Sequence, residues 1–389
     1  MHLSNQEERI LRGEEGHGKR KALEILVALG EIYGAKRLIP IASAQVSGAS
    51  FKTIGDAGIK FLEDFSSEVR VSVRASVNPL GLDMRRWRSM GVDPDFYSKQ
   101  ARIVAAYKSL GLEPLYSCTP YLAGNRPKEG QHIAWAESSA TVFANSYLKA
   151  KTNREGGPSA LAAAIIGKTP EYGLHLDENR KPRLQIDIGE IPEGLIPLAG
   201  YVVGKTAGKR LPFIKGLQLT ADEHKSFGAA MAATGAVSMY TYAERGSRSK
   251  VDTSEIEECI SLPSSELKAT EQSLKGRDDW DLVAMGCPHC SATELKRMAR
   301  YLKGRKPRSG PDVWFCTSRK VHASCPNEVN VLKRFGQVLC DTCMVVAPIE
   351  KLYKSTASDS GKAMVYLPTL GKQQASFRST TALLEAISR

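Results

Sequence analysis

Short apolar segments alternate with helical patterns in the first third of the chain. Predicted strands at Arg37–Ile41, Val69–Val73 and Pro114–Tyr116 are each followed by a loop and then by a helix. From Asp281 the same alternation resumes. This pattern predicts an α/β fold, in which helices form layers around largely parallel sheets. In such sheets, ligands bind where the carboxyl ends of the strands meet.

The length of the chain predicts more than one domain. Of its 389 residues, 42% are hydrophobic, which is enough to bury several cores. We expect an α/β domain over residues 1–155, a less regular middle lobe over 156–278 and a second α/β domain over 279–389. The first residues are polar, and no run of about 18 apolar residues is present, so we expect a cytoplasmic protein that does not enter a membrane.

Three of the eight cysteines follow predicted strands. Cys118, Cys287 and Cys343 each come after an apolar run, although they are far apart in the sequence. Such cysteines are poor candidates for a local zinc knuckle and good candidates for one iron–sulfur cluster at the centre of an α/β fold. Three thiolates leave one iron of a four-iron cluster without a protein ligand. An open metal position is what a Lewis-acid catalyst needs.

The cysteines also form two Cys-x-x-Cys pairs, which keep a zinc alternative open. Cys287 pairs in this way with Cys290, and Cys340 with Cys343. Zinc ribbons usually separate their pairs by about 15–20 residues, whereas the whole segment 291–339 lies between these two. The pairs could still meet in the folded chain, so a zinc site or a redox dithiol remains possible from the sequence.

The net charge of +12 favours an anionic ligand. A nucleic-acid-binding surface needs clustered Lys and Arg with aromatic side chains between them. Here the basic residues are dispersed, with modest clusters at Arg85–Arg88 and Lys303–Arg308. An anionic small molecule or an acidic partner surface fits this distribution better. The charge of +12 and the two Cys-x-x-Cys pairs nevertheless leave one non-enzymatic alternative, a zinc-binding or nucleic-acid-binding protein.

Two loops are candidates for binding an anion. Ser47–Ser50 leads into a helix, where free backbone N–H groups suit a carboxylate or phosphate, although a plain turn explains it equally well. Asp359–Lys362 precedes a predicted strand at Met364–Leu367 and is also consistent with a surface turn. Glu137 at a helix start is typical of a surface charge. The sequence does not decide whether His289 is exposed or lies behind the metal ligands.

Together these motifs resemble those of a known enzyme family. The sequence is similar, nearly end to end, to the aconitase X family and in particular to its archaeal branch. A combination of six spaced motifs is far more specific than any single one. The motifs are SAQVSGAS at 43–50 with TIGD at 53–56, Asn78-Pro79, YSCTPY at 116–121, GCPH at 286–289, DTC at 341–343 and SGK at 360–362.

The resemblance implies a fold, a cofactor and an activity. It implies aconitase-like α/β/α layers around a central cluster, without the swivelling domain, which a separate small subunit supplies. It also implies a hydro-lyase of the archaeal mevalonate pathway, which dehydrates (R)-5-phosphomevalonate to trans-anhydromevalonate 5-phosphate. An open iron of a [4Fe-4S] cluster would be the Lewis acid. Dehydration of cis-3-hydroxy-L-proline or of citrate and isocitrate remains the alternative within the family.

The resemblance also implies roles for individual residues. Cys118, Cys287 and Cys343 would ligate the cluster. A serine of the small subunit would be the base, so the chain would be inactive alone and would work as one half of a heterodimer. Where related chains often have Val, this one has Ala49, a small change. The implied substrate-binding residues are Gly48, Ala49, Ser50, Asn78, Pro79, Glu137, Ser138, Gly361 and Lys362.

Overall fold

The computed structural model describes residues 1–244 and 251–389, which form helices packed on four small sheets. The helices are α1 (Asn5–Leu11), α2 (His17–Ile32), α3 (Phe51–Glu68), α4 (Pro94–Ser109), α5 (Pro120–Ala123), α6 (Ser138–Ser146), α7 (Gly157–Ile166), α8 (Ile196–Ala207), α9 (Ala221–Gly235), α10 (Ser264–Leu274), α11 (Ala292–Leu302), α12 (Arg319–Ser324), α13 (Pro326–Leu332), α14 (Gly361–Thr369) and α15 (Thr380–Ala386). The strands are β1 (Leu38–Pro40), β2 (Ser43–Val46), β3 (Arg74–Val77), β4 (Ala134–Trp135), β5 (Lys168–Pro170), β6 (Leu184–Ile188), β7 (Pro212–Lys215), β8 (Thr241–Ala243), β9 (Glu258–Leu262), β10 (Leu282–Cys290), β11 (Asp312–Thr317), β12 (Gln337–Cys340), β13 (Ser355–Ser358) and β14 (Gln374–Phe377).

The first parallel sheet has the strand order β3-β2-β4. All four residues of β2 are buried, as expected for a parallel strand that is covered on both faces. Leu62 of α3, Ile103 of α4 and Leu161 of α7 belong to the same buried core as the strand residues Val46 and Val77. Next to this sheet, β1 and β5 form an antiparallel pair.

The second parallel sheet has the order β8-β7-β6-β9 and lies in the middle of the chain. Helices α8 and α9 pack against each other and against this sheet. Their side chains Val203 and Phe227 share a buried core with the strand residues Ile186 and Ile214.

The third sheet has five parallel strands in the order β12-β11-β10-β13-β14. Its central strand, β10, pairs regularly with β11 from Leu282 to Met285. The register then shifts, and pairing returns only where Cys290 lies opposite Thr317. The irregular part of β10 therefore contains Cys287.

Backbone hydrogen bonds join the first and third sheets at their carboxyl ends. The loop after β3 and the loop after β12 run side by side there. The N–H of Leu80 donates to the carbonyl of Asp341 at 2.8 Å, and the N–H of Cys343 donates to the carbonyl of Leu80 at 3.0 Å. The ends at which parallel sheets bind ligands are thus brought to one place.

The prediction of an α/β fold with parallel sheets is confirmed, but three predicted strands were wrong. At Pro114–Tyr116 only Tyr116 pairs, through a single bridge to Val77. Residues Val69–Val73 form no strand, and the strand begins at Arg74. Residues Met364–Leu367 are helical, because the Ser360 side chain accepts the N–H of Ala363 at 3.0 Å and so starts α14. The apolar run Ala363–Leu367 was too short for its period to separate strand from helix.

The predicted bounds of the three domains remain a prediction. Helix α7 and strand β5, which the sequence assigned to the middle lobe, pack with the first sheet. Among the described residues, no helix is both long enough and apolar enough to cross a bilayer.

Candidate active site

A cavity of about 620 Å³ lies where the carboxyl ends of the first and third sheets meet. Cys118, Cys287 and Cys343 all line it, although they come from separate parts of the sequence. Of the nine residues expected at the substrate site, Gly361 is the one absent from the described lining. The eight that line the cavity are Gly48, Ala49, Ser50, Asn78, Pro79, Glu137, Ser138 and Lys362.

Different backbone features bring the three cysteines to this cavity. Cys118 follows a single bridge between Tyr116 and Val77, just before the short helix α5. Cys287 lies in the irregular part of β10. Cys343 is held by its hydrogen bond to Leu80. Cys118 is buried, whereas Cys287 and Cys343 are partly accessible.

The environment of the cysteines keeps their thiols protonated until a metal binds. Burial raises the pKa of the Cys287 thiol to about 12, and it also raises the pKa values of Cys118 and Cys343. The positive charge of Lys362 opposes this increase at all three thiols. Because metals bind the thiolate form of cysteine, binding of a metal to these thiols would release protons.

The arrangement of the cysteines fits a cluster better than a single ion. Within residues 1–244 and 251–389, no three His, Cys, Asp or Glu side chains converge closely enough to hold one metal ion. A zinc ion binds each of its thiolates at about 2.3 Å, whereas thiolates around an iron–sulfur cluster bind different irons and stand further apart. Cys290 and Cys340 are buried and do not line the cavity, which disfavours the zinc alternative.

Glu137 and Lys362, which both line the cavity, form an ion pair. The Lys362 ammonium donates to the Glu137 carboxylate, which also accepts the Asn78 side-chain amide at 2.7 Å and the Ser139 hydroxyl at 3.0 Å. Burial alone would raise the pKa of Glu137. The charge of Lys362 and these hydrogen bonds outweigh burial and lower it to about 2. Glu137 is therefore ionised at neutral pH, and it is not the surface charge that its position at a helix start suggested.

His289 connects the loops that carry the three cysteines. It is fully buried, and its backbone N–H donates to Sγ of Cys118 at 3.2 Å. Its ring nitrogens lie 3.1 Å from the Ser117 hydroxyl and 2.8 Å from the Thr342 carbonyl. Since a carbonyl only accepts, Nε2 carries a proton. The sequence placed His289 beside Cys287 but could not show that it faces inward.

Three family models match successive parts of the chain. The model described as the aconitase X first domain matches residues 1–178, the second domain 182–272 and the third domain 280–389. The chain belongs to the aconitase X family. The resemblance inferred from the motifs is thereby confirmed, and so is the prediction that the chain is an enzyme, a dehydratase of this family.

Individual aconitase X relatives match along the whole chain. The phosphomevalonate dehydratase large subunit of Methanocaldococcus jannaschii is 46% identical, with 99% of this chain and 100% of the relative covered. The cis-3-hydroxy-L-proline dehydratase of Hypocrea jecorina is 31% identical, with 99% of this chain and 68% of the relative covered. The crystal structure of Thermococcus kodakaraensis aconitase X in its holo-form is 42% identical and superposes with a TM-score of 0.92, with 100% of both chains covered.

Several residues of this aconitase X site had no signal in the sequence. Tyr107 of α4 donates its hydroxyl to the Gly48 carbonyl at 3.1 Å and so supports the loop Ser47–Ser50. The loop itself was expected at the site, and its Ser50 hydroxyl donates to the Val346 carbonyl at 2.8 Å, which ties the loop to the segment after Cys343. Arg154 also lines the cavity. Lone Tyr and Arg residues on helices and loops are too common for sequence reasoning to single out.

Proposed function

We propose that this chain is the catalytic large subunit of a dehydratase acting on (R)-5-phosphomevalonate, with trans-anhydromevalonate 5-phosphate as product. The observation that carries the proposal is the convergence of Cys118, Cys287 and Cys343 on one cavity, together with the Glu137–Lys362 pair. Relatives from four archaea that bear the name phosphomevalonate dehydratase large subunit, at 44–46% identity over nearly the whole chain, support this substrate.

We propose that the cofactor is a [4Fe-4S] cluster bound by Cys118, Cys287 and Cys343. Three thiols around one cavity support this assignment, as does the holo-form of the T. kodakaraensis relative. When bound, such a cluster would supply an open iron as a Lewis acid for the leaving hydroxyl group.

The residues of the chain itself would bind and orient the substrate. The Lys362 ammonium attracts the substrate carboxylate, and Glu137 holds that ammonium in place. Backbone N–H groups of the Gly48–Ser50 loop are available to an anionic oxygen at the start of α3. Asn78 fixes the second oxygen of Glu137. The reaction removes hydroxide from C3 and a proton from C2 of the substrate. Together they form water, so the negative and the positive charge leave as one neutral molecule.

We further propose that a separate small subunit completes the site. The words "large subunit" in the names of the relatives support such a partner. In this proposal a serine of the small subunit removes the C2 proton. Glu137 is bound to Lys362, so the described lining of the cavity offers no free carboxylate for that role.

Anaerobic reconstitution with iron and sulfide, together with the cognate small subunit, tests the proposal. The complex should be brown and should dehydrate 5-phosphomevalonate, while the large subunit alone should not. Turnover of cis-3-hydroxy-L-proline without turnover of phosphomevalonate would show that cis-3-hydroxy-L-proline is the substrate instead. A colourless protein with stoichiometric zinc would overturn the cluster and the reaction together.

A further inference from the structure

Arg154 is an exposed side chain on the wall of the cavity. It lies in the segment between β4 and α7, where a single parallel bridge joins it to Trp135. Its neighbours in the chain are anchored: Asn153 donates to the Tyr172 carbonyl at 2.9 Å, and Glu155 accepts the Ser159 hydroxyl at 2.6 Å. Within the described part of the chain, the Arg154 guanidinium forms no hydrogen bond and no ion pair.

Among the described residues that line the cavity, Arg154 is the cation without a carboxylate partner. Among the described lining residues, the only other Lys or Arg is Lys362. Lys362 is paired with Glu137, and its charge acts on the thiols of all three cysteines, so it belongs to the cluster side of the cavity. A substrate with both a carboxylate and a phosphate brings more negative charge than Lys362 alone can balance.

Arg154 lies near the loop Ser47–Ser50. Three residues after it, Gly157 begins α7 and packs so closely on that loop that a Cβ atom there would be 2.8 Å from the Ser47 carbonyl oxygen. The positive ends of α3 and α7 therefore lie on the same side of the cavity as the guanidinium. These groups together form the part of the wall best suited to a dianion.

We infer that Arg154 binds the phosphate group of the substrate and thereby sets its direction in the cavity. The phosphate would lie against Arg154 and the Ser47–Ser50 loop, and the carboxylate and hydroxyl would lie towards Lys362 and the cysteines. A guanidinium offers two parallel N–H groups to phosphate oxygens, which a lysine does not. The inference rests on the proposed function for its substrate, and it adds which end of the substrate each cation binds.

The test uses the reconstituted complex of large and small subunits. Arg154→Gln removes the charge, Arg154→Lys keeps it without the bidentate geometry, and Arg297→Gln removes an exposed arginine of α11 outside the cavity as a matched control. Calorimetry with inorganic phosphate measures anion binding without turnover. Arg154→Gln should weaken phosphate binding and raise KM for phosphomevalonate, each by about 10- to 100-fold. Arg154→Lys should lose less phosphate affinity than Arg154→Gln, and Arg297→Gln should bind phosphate as tightly as the wild type.

The content of iron and sulfide should be unchanged in all three variants, because Arg154 binds no cysteine. If the wild-type complex binds no phosphate, or if Arg154→Gln binds it as tightly as the wild type, the inference is overturned. It is also overturned if Arg154→Gln weakens only the association of the two subunits, since Arg154 would then face an acidic group of the partner. The wild-type complex could bind phosphate through Arg154 and yet fail to dehydrate phosphomevalonate. That outcome would contradict the proposed function but not the role of Arg154 in binding phosphate.

Discussion

Lys362 and Glu137 form an ion pair in the lining of the cavity although 225 positions separate them in the chain. Glu137 begins α6, after the first sheet, and Lys362 lies in the first turn of α14, after β13 of the third sheet. Each side chain is only 11% exposed. The pair therefore connects the two halves of the site, and each charge depends on the other for stability.

Replacement of Glu137 by Gln should destabilise the protein strongly. The variant leaves the Lys362 ammonium buried without its counter-charge, and breaking a buried pair in this way costs about 3–5 kcal/mol. Urea unfolding of Glu137→Gln measures the loss. The double variant Glu137→Gln, Lys362→Met should recover part of it, because no charge then remains buried. Equal stability of Glu137→Gln and the wild type would show that the pair does not form.

The same pair predicts an acid-dependent loss of stability. Folding lowers the pKa of Glu137 from its ordinary value of 4.5 to about 2. The stabilisation is therefore complete above about pH 4.5 and disappears as the pH falls towards 2. In that window, the wild type should lose about 1.4 kcal/mol per pH unit more than Glu137→Gln. Unfolding free energies of both proteins across this range check the difference, and parallel curves would contradict it.

Cys287→Ser and Cys290→Ser should separate a cluster ligand from a core residue. Cys287 lines the cavity, whereas Cys290 is 4% exposed and packs in a core with Leu295 and Met298. After anaerobic reconstitution, Cys287→Ser should bind little iron and sulfide. Cys290→Ser should bind as much as the wild type and should lose roughly 1–3 kcal/mol of stability, because a hydroxyl replaces a buried apolar group. An equal loss of metal in both variants would instead support the hypothesis of a zinc site that uses both cysteines.

Gly286→Ala should disturb the strand that carries Cys287. Gly286 has a φ of 101°, and a Cβ atom there would lie 2.2 Å from the carbonyl oxygen of Cys316. Gly304, with a φ of 83° and nothing within 4 Å of such a Cβ, is the matched control. Gly304→Ala should cost about 1–2 kcal/mol from backbone strain alone. Gly286→Ala should cost several kcal/mol more and reduce cluster loading, measured by unfolding and by iron content. Similar effects of the two changes would mean that β11 can move aside.

His289→Ala should loosen the loops around Cys118 and Cys343. The change leaves the Ser117 hydroxyl and the Thr342 carbonyl without their hydrogen bonds to the imidazole ring, and it removes a buried side chain. Together these losses should cost about 3–5 kcal/mol of stability. Hydrogen exchange at residues 116–120 and 341–345 should become faster, and iron should be lost more quickly in air. His175→Ala removes another buried histidine, outside the cavity lining, and should lower stability without either effect. Unchanged exchange in His289→Ala would refute this role.

Local structure could largely be predicted from the sequence, because its causes are local. Ser4 and Glu7 form the capping box that starts α1, and Asp93 caps α4 ahead of Pro94. The failures at Val69–Val73, Pro114–Tyr116 and Met364–Leu367 occurred in short apolar segments, where residues that fit a strand also fit a buried helix or a covered loop. There the choice depends on which neighbours the segment packs against.

The sequence by itself determined the family, the α/β class and the identity of the three cysteine loops, since motifs and periodicity are properties of the chain. Only the tertiary structure decided that Lys362 meets Glu137, that His289 reaches Cys118, and that Cys290 and Cys340 are not part of the cavity lining. These contacts arise because backbone hydrogen bonds at Leu80 hold the carboxyl ends of two separate sheets together. Partners from different sheets leave no pattern in a single sequence, because nothing local specifies how the sheets meet.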